Sequence, residues 1–170
     1  MKLVRHGTKG KERPGAIGAD GQLRDLSSVV DDFGPSFFAA GAVASLQKID
    51  LSQLPTVSKE TRLGPCIAQP GNFIAIGLNY TDHAAESKFD VPKYPVVFQR
   101  YPSSWVAHDQ PLVRPRVSTQ FDYEAELGAV VGRGGRYHAK EKGRGDGAAH
   151  SDLNHGRPRD RPACHPPPAP

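Results

Sequence analysis

Residues 121–132 read Phe-Asp-Tyr-Glu-Ala-Glu-Leu-Gly-Ala-Val-Val-Gly, and their alternation marks an extended strand. Asp122, Glu124 and Glu126 interleave with Tyr123, Ala125 and Leu127. This is the two-residue period of a β-strand, so the acids share one face and the apolar residues the other. Residues at i and i+2 on a strand lie roughly 6.5–7 Å apart at Cα, near enough for flexible glutamates to converge on one ion. Three carboxylates on one face repel one another unless a cation joins them. Oxygen ligation suits a hard divalent ion, Mg²⁺, Mn²⁺ or Ca²⁺, better than Zn²⁺. A half-buried strand with a solvated acidic edge fits the same spacing, and a metal site needs a further ligand from elsewhere in the chain.

Upstream, Asn72-Phe73-Ile74-Ala75-Ile76-Gly77-Leu78 is short, apolar and β-branched, as a fully buried strand is. It leads into Asn79-Tyr80-Thr81-Asp82-His83-Ala84-Ala85-Glu86, where Asn79 or Thr81 can cap a helix that carries Asp82 in its first turn. His83 and Glu86 are then i and i+3 on its exposed side, close enough to touch. A carboxylate that holds one imidazole nitrogen leaves the other free as a general base, although a surface pair has the same spacing. Val96-Val97-Phe98 reads as a strand between prolines that delivers Gln99, Arg100, Ser103 and Ser104 to its far end. Arg100 can clamp a carboxylate through two parallel hydrogen bonds, or lie free at the surface. Downstream of the acidic strand, Gly132, Gly134 and Gly135 end the extended run, and Tyr137 is the last residue expected in a core.

Further out, Leu3-Val4 and Ile17 open a small antiparallel unit, with Asp20-Gly21 as a hairpin turn ahead of Leu23-Arg24-Asp25-Leu26. From Ser27 the apolar spacing becomes helical through Val29, Val30, Phe33, Phe37 and Phe38, interrupted by Gly34-Pro35 and resumed over Ala39–Leu46. Pro55, Pro65 and Pro70 mark a linker. The expected organisation is a small N-terminal accessory domain over 1–65 and a second domain that begins near residue 70.

The chain has 170 residues, of which 37% are hydrophobic, with a formal charge of +4 and a pI near 9.2. The basic residues are scattered and not interleaved with aromatics, which argues against a nucleic-acid partner. Cys66 and Cys164 stand far apart, so neither a disulfide framework nor a structural zinc site is indicated. The longest apolar run is far short of a membrane span and the N-terminus has no signal-like apolar core, so a cytoplasmic location is expected. Between Gly143 and Pro170 there is no Val, Ile, Phe, Met, Trp or Tyr and one leucine, Leu153. Such a stretch cannot bury a core and is expected to be disordered, as after a reading-frame shift in GC-rich coding sequence. Its His150, His155, Cys164 and His165 match no standard zinc spacing.

Taken together, Gly77–Glu86 and, some forty residues later, Asp122–Leu127 resemble the fumarylacetoacetate hydrolase family. Pro95–Phe98, Pro102–Ser104 and Leu112–Pro115 follow its usual text in the usual order, and the resemblance runs over about residues 1 to 142. It implies an α+β, β-rich fold, with an incomplete mixed β-roll or barrel preceded by a small N-terminal α+β domain, and a homodimer. It implies Mg²⁺, Mn²⁺ or Ca²⁺ on Glu124 and Glu126, a water-activating dyad of His83 and Glu86, and substrate contacts from Arg100, Tyr80 and Ser103. The implied reaction is hydrolysis of a carbon–carbon bond in an acylpyruvate-like β-diketo acid, of the kind met in catabolism of aromatic compounds. Isomerisation, decarboxylation, hydration or lyase chemistry on similar acids is the alternative, as is a non-catalytic assembly fragment. The family's third metal ligand, an aspartate beyond the acidic strand, is missing from the residues, so the 170-residue chain is expected to be unstable or inactive.

Overall fold

The structure, a computed structural model, describes residues 1–86 and 90–160, without the side chains of His83, Glu86 and residues 144–146. It is β-rich with a few short helices, the α+β class that the family resemblance implies. Five strands, β1 (Lys2–His6), β2 (Arg13–Ile17), β3 (Leu23–Asp25), β4 (Thr56–Val57) and β5 (Leu63–Gly64), form one antiparallel sheet in the order β4-β3-β2-β1-β5. The Asp20-Gly21 turn sits between β2 and β3 as expected: Gly18 and Gln22 are hydrogen-bonded across it, and Asp20 Oδ1 accepts from the Gln22 amide at 2.9 Å.

One face of this sheet is covered by aromatics. Ala16, Leu26, Phe33, Phe37, Phe38 and Leu46 form the buried core. The rings of Phe33 and Phe37 and of Phe37 and Phe38 each lie 5.1 Å apart in tilted and edge-on arrangements, the geometry that ring quadrupoles favour. The helical spacing read from Ser27 onward is only partly realised. Val29 and Val30 belong to a turn whose amides both donate to the Leu26 carbonyl, and helix begins at Pro35, where a fixed φ and a missing N–H cost nothing. The stretch expected to resume as helix over Ala39–Leu46 is instead split between α1 (Pro35–Ala39) and α2 (Val43–Leu46), because Gly41 between them adopts φ +66°.

After residue 70 the chain forms two separate ribbons. β6 (Ile74–Gly77) and β7 (Val96–Gln99) pair antiparallel, and α3 (Thr81–Glu86) lies between them in the chain. The ribbon is not the fully buried strand pair the sequence suggests, since Ile74, Ile76, Val97 and Phe98 are all exposed. The other ribbon joins β8 (Phe121–Val131) to β9 (Gly147–Pro158), with Glu124 opposite His155 and a bulge at Val130/Val131. Its bulged end is anchored on the aromatic core, against which Val130 and Ala148 pack. A Cβ on Gly132 would stand 2.8 Å from the Ala148 Cβ and 3.2 Å from the Phe38 carbonyl, so this contact needs a glycine.

Two expectations are corrected here. Residues 147–158, expected to lack structure, form the twelve-residue strand β9. A β-ladder is built from backbone N–H and C=O groups, so a segment with few apolar side chains can still pair along a free edge. Tyr137, expected in a core, is 98% exposed with φ +57°. Residues 161–170, with Cys164 and His165, lie outside the described residues. Among the described residues no helix is long and apolar enough to cross a membrane.

Candidate metal centre

The acidic face of β8 faces the protein, and its apolar face is the open one. Tyr123, Leu127 and Val131 are 65–70% exposed, whereas Asp122, Glu124 and Glu126 are partly covered. Glu124 is the most covered of the three acids, while the Asp122 side chain stays 46% exposed, so the acidic edge is withdrawn from solvent only in part. The cover comes from β9, where residues directly opposite one another place their side chains on the same face. Arg157 stands opposite Asp122, His155 opposite Glu124 and Leu153 opposite Glu126.

This register assembles a charge network. The Nε of Arg159 donates to Asp122 Oδ2 at 3.0 Å, and its Nη2 lies 3.0 Å from Glu124 Oε1. Arg157 Nη1 lies 3.7 Å from the same Glu124 oxygen. The Tyr123 amide and then Arg159 hold the Asp122 carboxyl below the usual aspartate range by bonding its charged form. The other oxygen of Glu124, Oε2, lies 3.2 Å from His155 Nδ1, and Glu126 Oε1 lies 3.1 Å from that nitrogen. Glu124, Glu126 and His155 thus offer two carboxylate oxygens and one imidazole nitrogen within 4.8 Å of one another. That donor set fits a divalent ion that accepts mixed oxygen and nitrogen ligation.

The sequence-derived site residues meet different outcomes. Glu124 and Glu126 converge as their spacing requires. Arg100 reaches the same place: its guanidinium lies 5.2 Å over the Phe98 ring, and its Nη2 contacts His155 Nε2 and stands 3.1 Å from Nδ1. Tyr80 does not enter the cluster but touches its strand, its hydroxyl accepting from the Leu127 amide at 3.2 Å. This contact brings the start of α3 against β8. His83 and Glu86 lie on α3, but their side chains are outside the described residues. Ser103 is exposed in a short turn at 102–104, and among the described residues it makes no contact with the cluster. The cluster's third donor is not an aspartate but His155.

Arg157 and Arg159 are the members that sequence reasoning passed over, and His155 is one that it set aside on its spacing from other histidines. Their signal was present: three cationic or basic residues at alternate positions, the complement of Asp122, Glu124 and Glu126 on a paired strand. Asp160 closes the ribbon's far end by accepting from Ser118 Oγ at 2.6 Å and from the Thr119 amide at 2.8 Å.

The fold and site define a β-rich α+β protein with a carboxylate–imidazole cluster between two antiparallel strands. Residues 72–145 match the C-terminal domain of fumarylacetoacetate hydrolase, a match that takes in Glu124 and Glu126 and stops before β9. The chain is 47% identical over 132 residues to a protein of Burkholderia ambifaria provisionally named a hydrolase; the match takes in 78% of this chain and 47% of that protein. It spans about half the length of the curated relatives it matches. Among solved structures it is similar to the fumarylacetoacetate hydrolase of Exiguobacterium antarcticum, with a TM-score of 0.75 and 29% identity over 94% of this chain and 57% of that one. A Mycobacterium abscessus protein provisionally named 2-hydroxyhepta-2,4-diene-1,7-dioate isomerase gives a TM-score of 0.64 and 26% identity over 94% of this chain and 54% of that one. Over residues 72–145 the chain carries part of the fumarylacetoacetate hydrolase C-terminal domain, and its fold is similar to that of a solved fumarylacetoacetate hydrolase.

Proposed function

We propose that the chain acts as a metal-dependent hydrolase of carbon–carbon bonds in acylpyruvate-like β-diketo acids. The observation that carries this reading is the convergence of Glu124 and Glu126 on one point beside Arg100. A divalent ion held by these carboxylates, Mg²⁺ or a similar one, would supply positive charge against the charge that develops on the keto-acid oxygens. Arg100, already at the cluster, is placed to take the substrate carboxylate by paired hydrogen bonds. His83, oriented by Glu86, takes the proton from the attacking water in this scheme, and Tyr80 fixes the helix that bears them against β8. A homodimer in the cytoplasm completes the proposal; the open apolar face of β8 supports the association. The likeness to the Mycobacterium abscessus protein supports a second reading, isomerisation of a related unsaturated diacid.

Acylpyruvate hydrolysis with added Mg²⁺, followed by the loss of enol absorbance, tests the first reading. Turnover is expected to stop with a chelator and in His83→Ala and Glu124→Ala. Turnover that survives both substitutions, or none in the unaltered chain under any divalent ion, overturns it.

A further inference from the structure

The family resemblance calls for an ion held by oxygen alone, yet the third donor to reach Glu124 and Glu126 is a nitrogen. The two oxygens of Glu124 are also divided in use. Oε1 is taken by Arg159 and Arg157, and Oε2 is turned toward His155 Nδ1 and thus toward Glu126. One negative charge is therefore already matched by guanidinium before any ion arrives. A hard ion such as Mg²⁺ gains chiefly from full carboxylate charge and keeps its water reluctantly exchanged, so a partly neutralised site that includes an imidazole suits it poorly. Borderline ions gain most from a neutral imidazole, in the order Mn²⁺ below Co²⁺ below Cu²⁺, with Zn²⁺ near the top.

Arg100 meets the imidazole of His155 nearer its Nε2 than the Nδ1 atom that faces both glutamates, so the guanidinium stands beside the three donors and not between them. We propose that Glu124, Glu126 and His155 form a mixed-donor pocket for a borderline transition ion in preference to Mg²⁺. This rests on the metal-dependent reading above. It makes His155, a residue beyond the part of the chain that matches the family domain, the determinant of which ion is bound.

Calorimetric titration of the whole chain with Zn²⁺, Mn²⁺ and Mg²⁺ separates the possibilities. One equivalent of Zn²⁺ or Mn²⁺ is expected to bind at least about tenfold tighter than Mg²⁺, with His155→Ala removing that margin and leaving Mg²⁺ affinity in place. Electron-spin-echo modulation of the Mn²⁺-loaded unaltered chain is expected to show an imidazole nitrogen, a readout that needs no variant to fold. Mg²⁺ binding as tight as Zn²⁺, or Mn²⁺ without nitrogen coupling, overturns the mixed-donor pocket but leaves the metal-dependent hydrolase standing. No binding of any ion overturns both.

Discussion

The N-terminal sheet and the β8–β9 ribbon solve the same problem, holding strands together, by opposite means. The sheet of β1–β5 closes over Phe33, Phe37 and Phe38, with Phe33 fully buried. The ribbon leaves Tyr123, Leu127 and Val131 in solvent and has half-exposed charges paired along its other face, so it is held by a long backbone ladder and by guanidinium–carboxylate pairs. Apolar burial contributes about 25 cal/mol per Å² without regard to direction, whereas half-exposed ion pairs contribute from nothing to about 1 kcal/mol each. The two regions therefore differ in what can break them. Packing defects threaten the sheet, while loss of a single charge changes the ribbon's chemistry far more than its stability.

The largest effect is expected from Phe33→Ala. A fully buried ring whose centroid lies 5.1 Å from that of Phe37 leaves a cavity that such a small core cannot collapse around. A loss of about 3–5 kcal/mol is expected, enough to abolish a cooperative transition in urea. Retention of the transition with a midpoint close to the unaltered chain would mean that the ribbon, and not the aromatic core, supplies most of the stability.

Gly132→Val addresses the seam between the regions. The added atoms meet Ala148 Cβ and the Phe38 carbonyl, one of them backbone, so the strand end must move away from the core. Overpacking of this kind costs about 1–3 kcal/mol. Hydrogen exchange read residue by residue is expected to accelerate in Val130 and Ala148 first, while Leu3, Val4 and Ala16 keep their protection. Uniform acceleration would show that sheet and ribbon open as one unit.

The same contrast explains what could be read from the residues alone. The acidic strand was legible because alternation is a local property; Phe121–Val131 is a strand and Gly132 follows its end. The Asp20-Gly21 turn was legible for the same reason. The break at Gly41 was not, since a glycine among good helix formers is tolerated as often as it interrupts. β9 was illegible by any test for a core, because its only pattern is the basic alternation of His155, Arg157 and Arg159, which gains meaning when set against Asp122, Glu124 and Glu126 in one particular register. His155 was noticed as a possible ligand and set aside because its spacing from other histidines is wrong; its partners are carboxylates about thirty residues away, a relation that only strand pairing creates. Tyr137, the last residue expected in a core, stands in solvent, 98% exposed.

The smallest expected effect concerns the free end of the ribbon, and it has a definite sign. The carboxyl of Asp160 is brought down from 3.8 to about 2, first by the Ser118 hydroxyl and then by the Thr119 amide, both of which bond its charged form. A group whose folded value is depressed contributes its full stabilisation above the unfolded value and loses it as the pH falls through the folded one. The clasp between Asp160 and residues 118–119 is therefore intact above pH 3.8 and released on acidification toward pH 2. Because this carboxylate is at the surface, the consequence is local: the Thr119 amide is expected to lose hydrogen-exchange protection in that window while the amides of β1 and β2 do not. Asp160→Asn removes the dependence and gives the low-pH behaviour at neutral pH. If Thr119 keeps its protection in Asp160→Asn, the ribbon's end is held by the ladder alone, and the carboxylate that closes it is an ornament of the surface and not a part of what keeps β9 in register with the acids of β8.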